Sequence, residues 1–283
     1  MRQIGWVLAT AALVAAALFA PSTSRPAYPS LSASDTHFLV IAHRGFSGVA
    51  PENTLPAMRA AIAVHASDVE LDVQRTKDGH LVVLHDLTLA RTTNVAHVFP
   101  GRQNDPIGTF TLAQVERLDA GSWMGRRFAG TRVPTLGQVL DVIAPSRTNL
   151  MLELKNPTYY PGYEAQVAQA LAAHHLGANR VEVHSFSPPS LHRFHRSAPA
   201  YPLSLLVDRP RPNPRGYRWA QAVEPRVGAF SEGFVDRAHA DHLQVYAWDS
   251  SSPPQMEQLA DWGVNGVTTD RPDVAHTELR SRP

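Results

Sequence analysis

Two histidines, His43 and His85, bracket the alternating carboxylates Glu70 and Asp72 within one short stretch of the chain. The segments read His43-Arg44-Gly45, Val69-Glu70-Leu71-Asp72-Val73 and Val82-Val83-Leu84-His85-Asp86. Histidine gives or takes a proton near neutral pH, carboxylates are hard ligands for a divalent cation, and a guanidinium grips an oxyanion. These are the parts required to hydrolyse a phosphate ester with metal assistance. A third carboxylate and an ammonium follow in Leu150-Met151-Leu152-Glu153-Leu154-Lys155.

Strand periodicity decides where these groups point. On an extended segment Val69, Leu71 and Val73 share one face, and Glu70 and Asp72 share the other. Leu150, Leu152 and Leu154 likewise oppose Glu153 and Lys155. If the apolar faces pack on helices, the carboxylates converge on a low-dielectric interior, where like charges are costly unless neutralised. One divalent cation is the simplest solution, and an all-oxygen set suits Ca²⁺ or Mg²⁺ rather than zinc. The competing reading is a structural network of ion pairs among Arg44, Glu70, Asp72, Glu153 and Lys155.

The elements that must position these residues alternate between short apolar runs and helix-period segments, the pattern of βα units and a parallel sheet. Strands are expected at Phe38–Ala42, Val69–Val73, Asn149–Leu154, Val181–Ser185, Pro202–Val207, Arg226–Phe230, Gln244–Trp248 and Asn265–Thr268. Helices are expected at Thr54–Val64, N-capped by Asn53, and at Glu164–His175, Val235–Asp241 and Pro254–Trp262. Eight parallel strands predict a TIM-type (β/α)8 barrel. Only Thr76-Lys77-Asp78-Gly79 separates the second strand from Leu81–His85, too few residues for a parallel crossover, so an antiparallel hairpin is expected there. It would fold His85 back toward Glu70 and Asp72. Residues 87–134, with a helix near Leu112–Leu118, read as a small insertion at the barrel mouth.

Composition limits the function classes. The chain has 283 residues, 43% hydrophobic and 18% charged, and its formal net charge is +1. That suffices for a full core and gives little of the phosphate-backbone attraction on which nucleic-acid binding relies, so no nucleic-acid partner is expected. There is no cysteine, which excludes disulfides, thiolate catalysis and zinc–thiolate sites. An apolar run from Ile4 to Ala20 follows Arg2, and a Pro/Ser-rich linker occupies 21–36. Residues 1–20 therefore read as a secretory signal peptide or, alternatively, an uncleaved anchor, implying export and proximity to a membrane. The barrel is expected over 37–277 and a tail over 278–283. Seven further histidines (His65, His97, His174, His175, His192, His195 and His239) read as solvated.

With these residues in view, the chain resembles the glycerophosphodiester phosphodiesterase family. The matching text is His43-Arg44-Gly45, Pro51-Glu52-Asn53-Thr54, Glu70-Leu71-Asp72-Val73, Lys77-Asp78-Gly79, His85-Asp86 and Arg91-Thr92-Thr93. It continues through Val133-Pro134-Thr135-Leu136, Glu153-Leu154-Lys155, Ser185-Phe186 and Thr269-Asp270-Arg271-Pro272. The likeness spans about Phe38 to Asp273, and its strength lies in the order of the motifs. The resemblance implies that Glu70, Asp72 and Glu153 bind one divalent cation, that His43 and His85 are general base and general acid in an order left open, and that Arg44 and Lys155 grip phosphoryl oxygens. Trp248 is expected to line the pocket. After it the family usually carries a Thr-Val-Asn-like run where this chain has Asp249-Ser250-Ser251, so the alcohol pocket differs.

The implied reaction converts a small glycerophosphodiester into glycerol phosphate and an alcohol. One alternative is headgroup release from a lysophospholipid, with Trp123, Phe128 and Phe110 lining an acyl channel. Another is a non-catalytic protein that binds glycerophosphodiesters. Oligomeric state is not legible in the sequence.

Overall fold

The computed structural model describes residues 38–279. The expected signal or anchor at 1–20 and the linker at 21–36 lie outside the described residues. Eight parallel strands close into a barrel: β1 (Leu39–Ala42), β2 (Asp68–Arg75), β4 (Asn149–Leu154), β5 (Val181–Ser185), β6 (Leu203–Val207), β7 (Ala222–Pro225), β8 (Gln244–Ala247) and β9 (Gly266–Thr269). Closure comes from β1, which pairs with β2 on one side and with β9 on the other. The ninth strand, β3 (Leu81–Val83), runs antiparallel to β2 with Val73 opposite Val83 and Arg75 opposite Leu81. The predicted barrel and its hairpin are both present.

Two apolar regions hold the barrel. The larger lies between strands and helices and takes Val69, Leu71 and Val73 from β2 and Leu150, Leu152 and Leu154 from β4. Full burial of each such aliphatic side chain stabilises the fold by about 1.5–3 kcal/mol. The smaller fills the barrel's interior with Ile41, Met151, Ala222 and Tyr246. Above this plug the inward positions turn polar. Met151 and Glu153 are successive inward residues of β4, the first in the plug and the second buried at 6% exposure beneath the mouth. The sequence alternation thus separates packing from chemistry within single strands.

Several expectations need correction. β7 lies at Ala222–Pro225, not Arg226–Phe230. All four of its residues are buried, so no polar–apolar alternation marks it, and Val227 and Phe230 instead pack half-buried after the strand. Asn53 does not cap the first helix (Leu55–Ala63). Thr54 holds that place, and Asn53 adopts a left-handed φ of 58°. β3 stops at Val83, two residues short of His85. The helix near 112 is one turn, Leu112–Val115, with a Thr111–Gln114 capping box. The last helix, Pro272–Leu279, runs past the expected end of the barrel at 277.

The insertion packs firmly. Val95, Ile107, Phe110, Val115 and Leu118 are fully buried in the main core, and Arg127 donates to the carbonyl of Val49 in the loop after β1. Phe110 lies against Phe99 with Arg102 stacked on its ring. It therefore cannot line an acyl channel with the exposed Trp123, and the channel imagined from Trp123, Phe128 and Phe110 does not form.

Candidate active site

At the C-terminal ends of the strands, His43, Arg44, Glu70, Asp72, His85, Glu153, Lys155 and Trp248 line one cavity. All eight residues singled out in the sequence are brought together. Ligand oxygens of Glu70, Asp72 and Glu153 lie within 4.8 Å of one another, and all three residues are buried. Strand register places them so: Asp72 pairs with Glu153 across β2 and β4, and Glu70 is one inward step below Asp72.

Each carboxylate is oriented by neighbours. Glu70 Oε2 accepts from the backbone N–H of Arg44 at 2.7 Å. Asn53 clasps Asp72, its Nδ2 donating to Oδ2 at 2.7 Å while its Oδ1 accepts from the Asp72 N–H. Lys155 Nζ lies 2.9 Å from Glu153 Oε2 and 3.4 Å from Asp72 Oδ1. Burial works against ionising Asp72, but the nearby Lys155 and Arg44 charges hold it well below the usual carboxylate range. Burial and the Asp72 charge push Glu70 up and lift Glu153 to about 7. Lys155, Arg44 and the neighbouring histidines still leave Glu70 and Glu153 raised, and hard oxygens gathered in a buried cleft fit a divalent cation.

Gly45 keeps the turn after β1 tight. Its φ is +79°, and a Cβ there would sit 2.6 Å from the backbone of Ala57. Only glycine tolerates that approach, which lets the loop carry Arg44 over Glu70.

The histidines are braced alike. His43 Nδ1 meets Asp270 Oδ1 at 2.7 Å, and Ser47 Oγ donates to the same oxygen. His85 Nδ1 meets Asp86 Oδ1 at 2.7 Å. In both, an acceptor on Nδ1 leaves Nε2 for proton transfer. Gln74, fully buried, holds the second histidine's loop, with its Nε2 within hydrogen-bonding distance of the Leu84, His85 and Asp86 carbonyls. Arg91 from the insertion joins Asp86 to Glu52, and Glu52 accepts from Arg44. Burial alone lowers both histidines. For His43 the Asp270 hydrogen bond and the Glu70 charge reverse this and raise it, whereas for His85 burial, Arg44 and Lys155 outweigh Asp72 and Asp86 and leave it lowered.

Five contributors escaped the sequence reading in their structural roles: Asn53, Gln74, Asp270, His184 and Glu224. His184 and Glu224 also line the cavity, with His184 Nδ1 3.1 Å from Glu224 Oε1. Burial disfavours the imidazolium, but Glu224's charge and hydrogen bond lift His184 to about 9. The alternation Val181-Glu182-Val183-His184 marks His184 as inward, by the same logic that found Glu153. Trp248 Nε1 donates to the Glu224 carbonyl, and its ring meets the exposed Phe186 edge-on at 5.3 Å. The seven histidines read as solvated are all exposed or half-buried.

The sequence profile of the Glycerophosphoryl diester phosphodiesterase family matches residues 43–274. A glycerophosphodiester phosphodiesterase of Caldanaerobacter subterraneus is 35% identical over 246 residues, covering 83% of this chain and 95% of that protein. One from Bacillus subtilis is 33% identical over 265 residues, covering 86% and 87%. Among solved structures, an Oleispira antarctica phosphodiesterase in complex with the product sn-glycerol-3-phosphate superposes with a TM-score of 0.76 at 28% identity, covering 86% of this chain and 97% of that one.

Proposed function

The chain belongs to the glycerophosphoryl diester phosphodiesterase family, and from that premise we propose that it hydrolyses glycerophosphodiesters to glycerol phosphate and an alcohol, with one divalent cation and two histidines. The observation that carries this reading is the buried Glu70–Asp72–Glu153 triad flanked by two histidines, each with a carboxylate on Nδ1. Glu70, Asp72 and Glu153 would hold Ca²⁺ or Mg²⁺. When bound, the cation polarises a phosphoryl oxygen and offsets the charge that develops on it.

The chain's own groups supply the rest. Arg44 and Lys155, both mostly buried at the cavity wall, bind the remaining phosphoryl oxygens as fixed positive charges. The opposite displacement of the two histidines supports a division of roles, since a raised value keeps a proton and a lowered one leaves the ring free to accept. His85 takes the proton of the attacking O–H through Nε2, and His43 delivers its Nε2 proton to the oxygen of the departing alcohol. The attacker is water, or the glycerol hydroxyl ahead of a second, water-consuming step. The new P–O bond forms as the P–O bond to the alcohol breaks. Asp270 and Asp86 fix the ring planes, and Trp248 with Phe186 walls the alcohol side.

The apolar run at 1–20 is proposed to export the enzyme or anchor it, which would put the barrel outside the cytoplasm near a membrane surface.

The test is release of glycerol phosphate from glycerophosphocholine by EDTA-treated protein, with Ca²⁺, Mg²⁺ and Mn²⁺ restored separately. Turnover should return with metal, and Glu70→Ala should lose at least about 10²-fold while its circular dichroism stays unchanged. Metal-restored turnover by Glu70→Ala equal to wild type would defeat the cation assignment. Turnover of lysophosphatidylcholine far above that of glycerophosphocholine would move the substrate to lysophospholipids.

A further inference from the structure

The mechanism above makes no use of the Glu224–His184 pair, although it lies deep in the barrel. His184 is 3% exposed and Glu224 is fully buried. His184 Nδ1 stands 3.1 and 3.2 Å from the two Glu224 oxygens. An ionised carboxylate only accepts, so Nδ1 carries the hydrogen. The other ring nitrogen, Nε2, is buried with no hydrogen-bond partner among the described residues. It lies 3.9 Å from Glu70 Oε1, beside but outside the set of three carboxylates whose oxygens all lie within 4.8 Å of one another, and β5 holds His184 in register with Glu153. The main chain that carries Glu224 is held as well, because the Trp248 indole donates to the Glu224 backbone carbonyl at 2.8 Å.

We infer that His184, oriented by Glu224, is a nitrogen donor of the cation site, giving Mn²⁺ and Co²⁺ an advantage over Ca²⁺ that the three carboxylates alone would not provide. The inference rests on reading Glu70, Asp72 and Glu153 as cation ligands. A histidine that binds a metal through one nitrogen commonly donates the other N–H to a carboxylate, which fixes the ring and makes it more basic. Two ligands of one six-coordinate ion with bonds of about 2.1–2.2 Å stand about 3–4.4 Å apart, and 3.9 Å lies inside that span. Imidazole nitrogen favours first-row transition ions, rising from Mn²⁺ to Co²⁺, whereas Ca²⁺ takes oxygen. Ligation exchanges any Nε2 proton for the cation and releases it to solvent.

The full chain, stripped with EDTA, is titrated calorimetrically with Mn²⁺, Co²⁺ and Ca²⁺, and the Mn²⁺ form is examined by pulsed EPR for ¹⁴N coupling. Wild type should show directly bound nitrogen. His184→Gln should lose that signal and reduce the Co²⁺-to-Ca²⁺ affinity ratio about 10–100-fold, and Glu224→Gln should reduce it less. Absence of nitrogen coupling in wild type, or its persistence in His184→Gln with an unchanged affinity ratio, would overturn the inference while leaving the triad as the site. If wild type binds none of the three ions, the cation reading fails together with it. The wild-type spectrum decides the point even should a variant misfold.

Discussion

The two edges of the catalytic cleft carry the same hydrogen bond and reach opposite electrostatic outcomes. At the β1/β9 edge, His43 meets Asp270 at 2.7 Å; after β3, His85 meets Asp86 at 2.7 Å. Burial works against charging His43, but the Asp270 hydrogen bond and then the Glu70 charge prevail and raise it; Asp270's other contact is a serine hydroxyl. His85 is lowered because burial, joined by the Arg44 and Lys155 charges, outweighs Asp72 and Asp86, and Arg91 draws on both oxygens of Asp86. A histidine–carboxylate pair does not by itself define an acid or a base. The charges one layer further out decide which way the imidazole leans.

Removing each histidine tests the division most severely. His43→Ala and His85→Ala should each lose about 10²–10⁴-fold in kcat with glycerophosphocholine. They should part company on a phosphodiester with a nitrophenol leaving group, which departs without a proton. His43→Ala should recover most of its activity on that substrate and His85→Ala should not. The reverse pattern would exchange the assigned roles.

A gentler comparison removes the partners. With His85 as base and His43 as acid, as proposed, activity needs His85 neutral and His43 protonated, so kcat/KM should fall on the acid side as His85 gains its proton and on the alkaline side as His43 loses its own. The directions place the acid limb below the ordinary histidine value and the alkaline limb above it. Asp270→Asn removes the lift on His43, moving the alkaline limb to lower pH and narrowing the profile. Asp86→Asn removes the lift on His85, moving the acid limb lower still and widening it. Shifts of about one pH unit are expected, read from full pH–rate profiles. If both substitutions displaced the same limb, the asymmetry between the edges would be wrong.

The smallest effect concerns the floor shared by both edges. Asn53→Ala leaves the Asp72 N–H and one carboxylate oxygen without their partner, costing about 1–3 kcal/mol of stability by denaturant unfolding. An unchanged midpoint would mean that the clasp is not needed to hold Asp72.

What the sequence revealed and what it hid follow from the same geometry. β4 and β5 fall where expected to the residue, Asn149–Leu154 and Val181–Ser185, because each is long enough to display its periodicity. β7 is four buried residues ending in Pro225, and it offers no such signal. The carboxylate triad was legible because two of its members share one strand and the third repeats the pattern. Asp270 stands in a recognised motif, yet its bond to His43 spans 227 positions, and nothing local announces a pairing across that distance. Asn53 misled in another way: a residue type that favours helix caps was spent on a left-handed turn that aims its amide at Asp72.

The closing seam between β1 and β9 has a consequence for the order in which the enzyme becomes whole. Leu39–Ala42 must wait for Gly266–Thr269 before that edge is paired, a contact of very high sequence separation. As the chain is made, Glu70, Asp72 and Glu153 have all emerged with β4, whereas Asp270, the partner of His43, arrives only with the last strand. A nascent or C-terminally clipped chain would therefore hold all three carboxylates and still lack a correctly seated His43. Catalytic competence would then report on the integrity of the whole barrel.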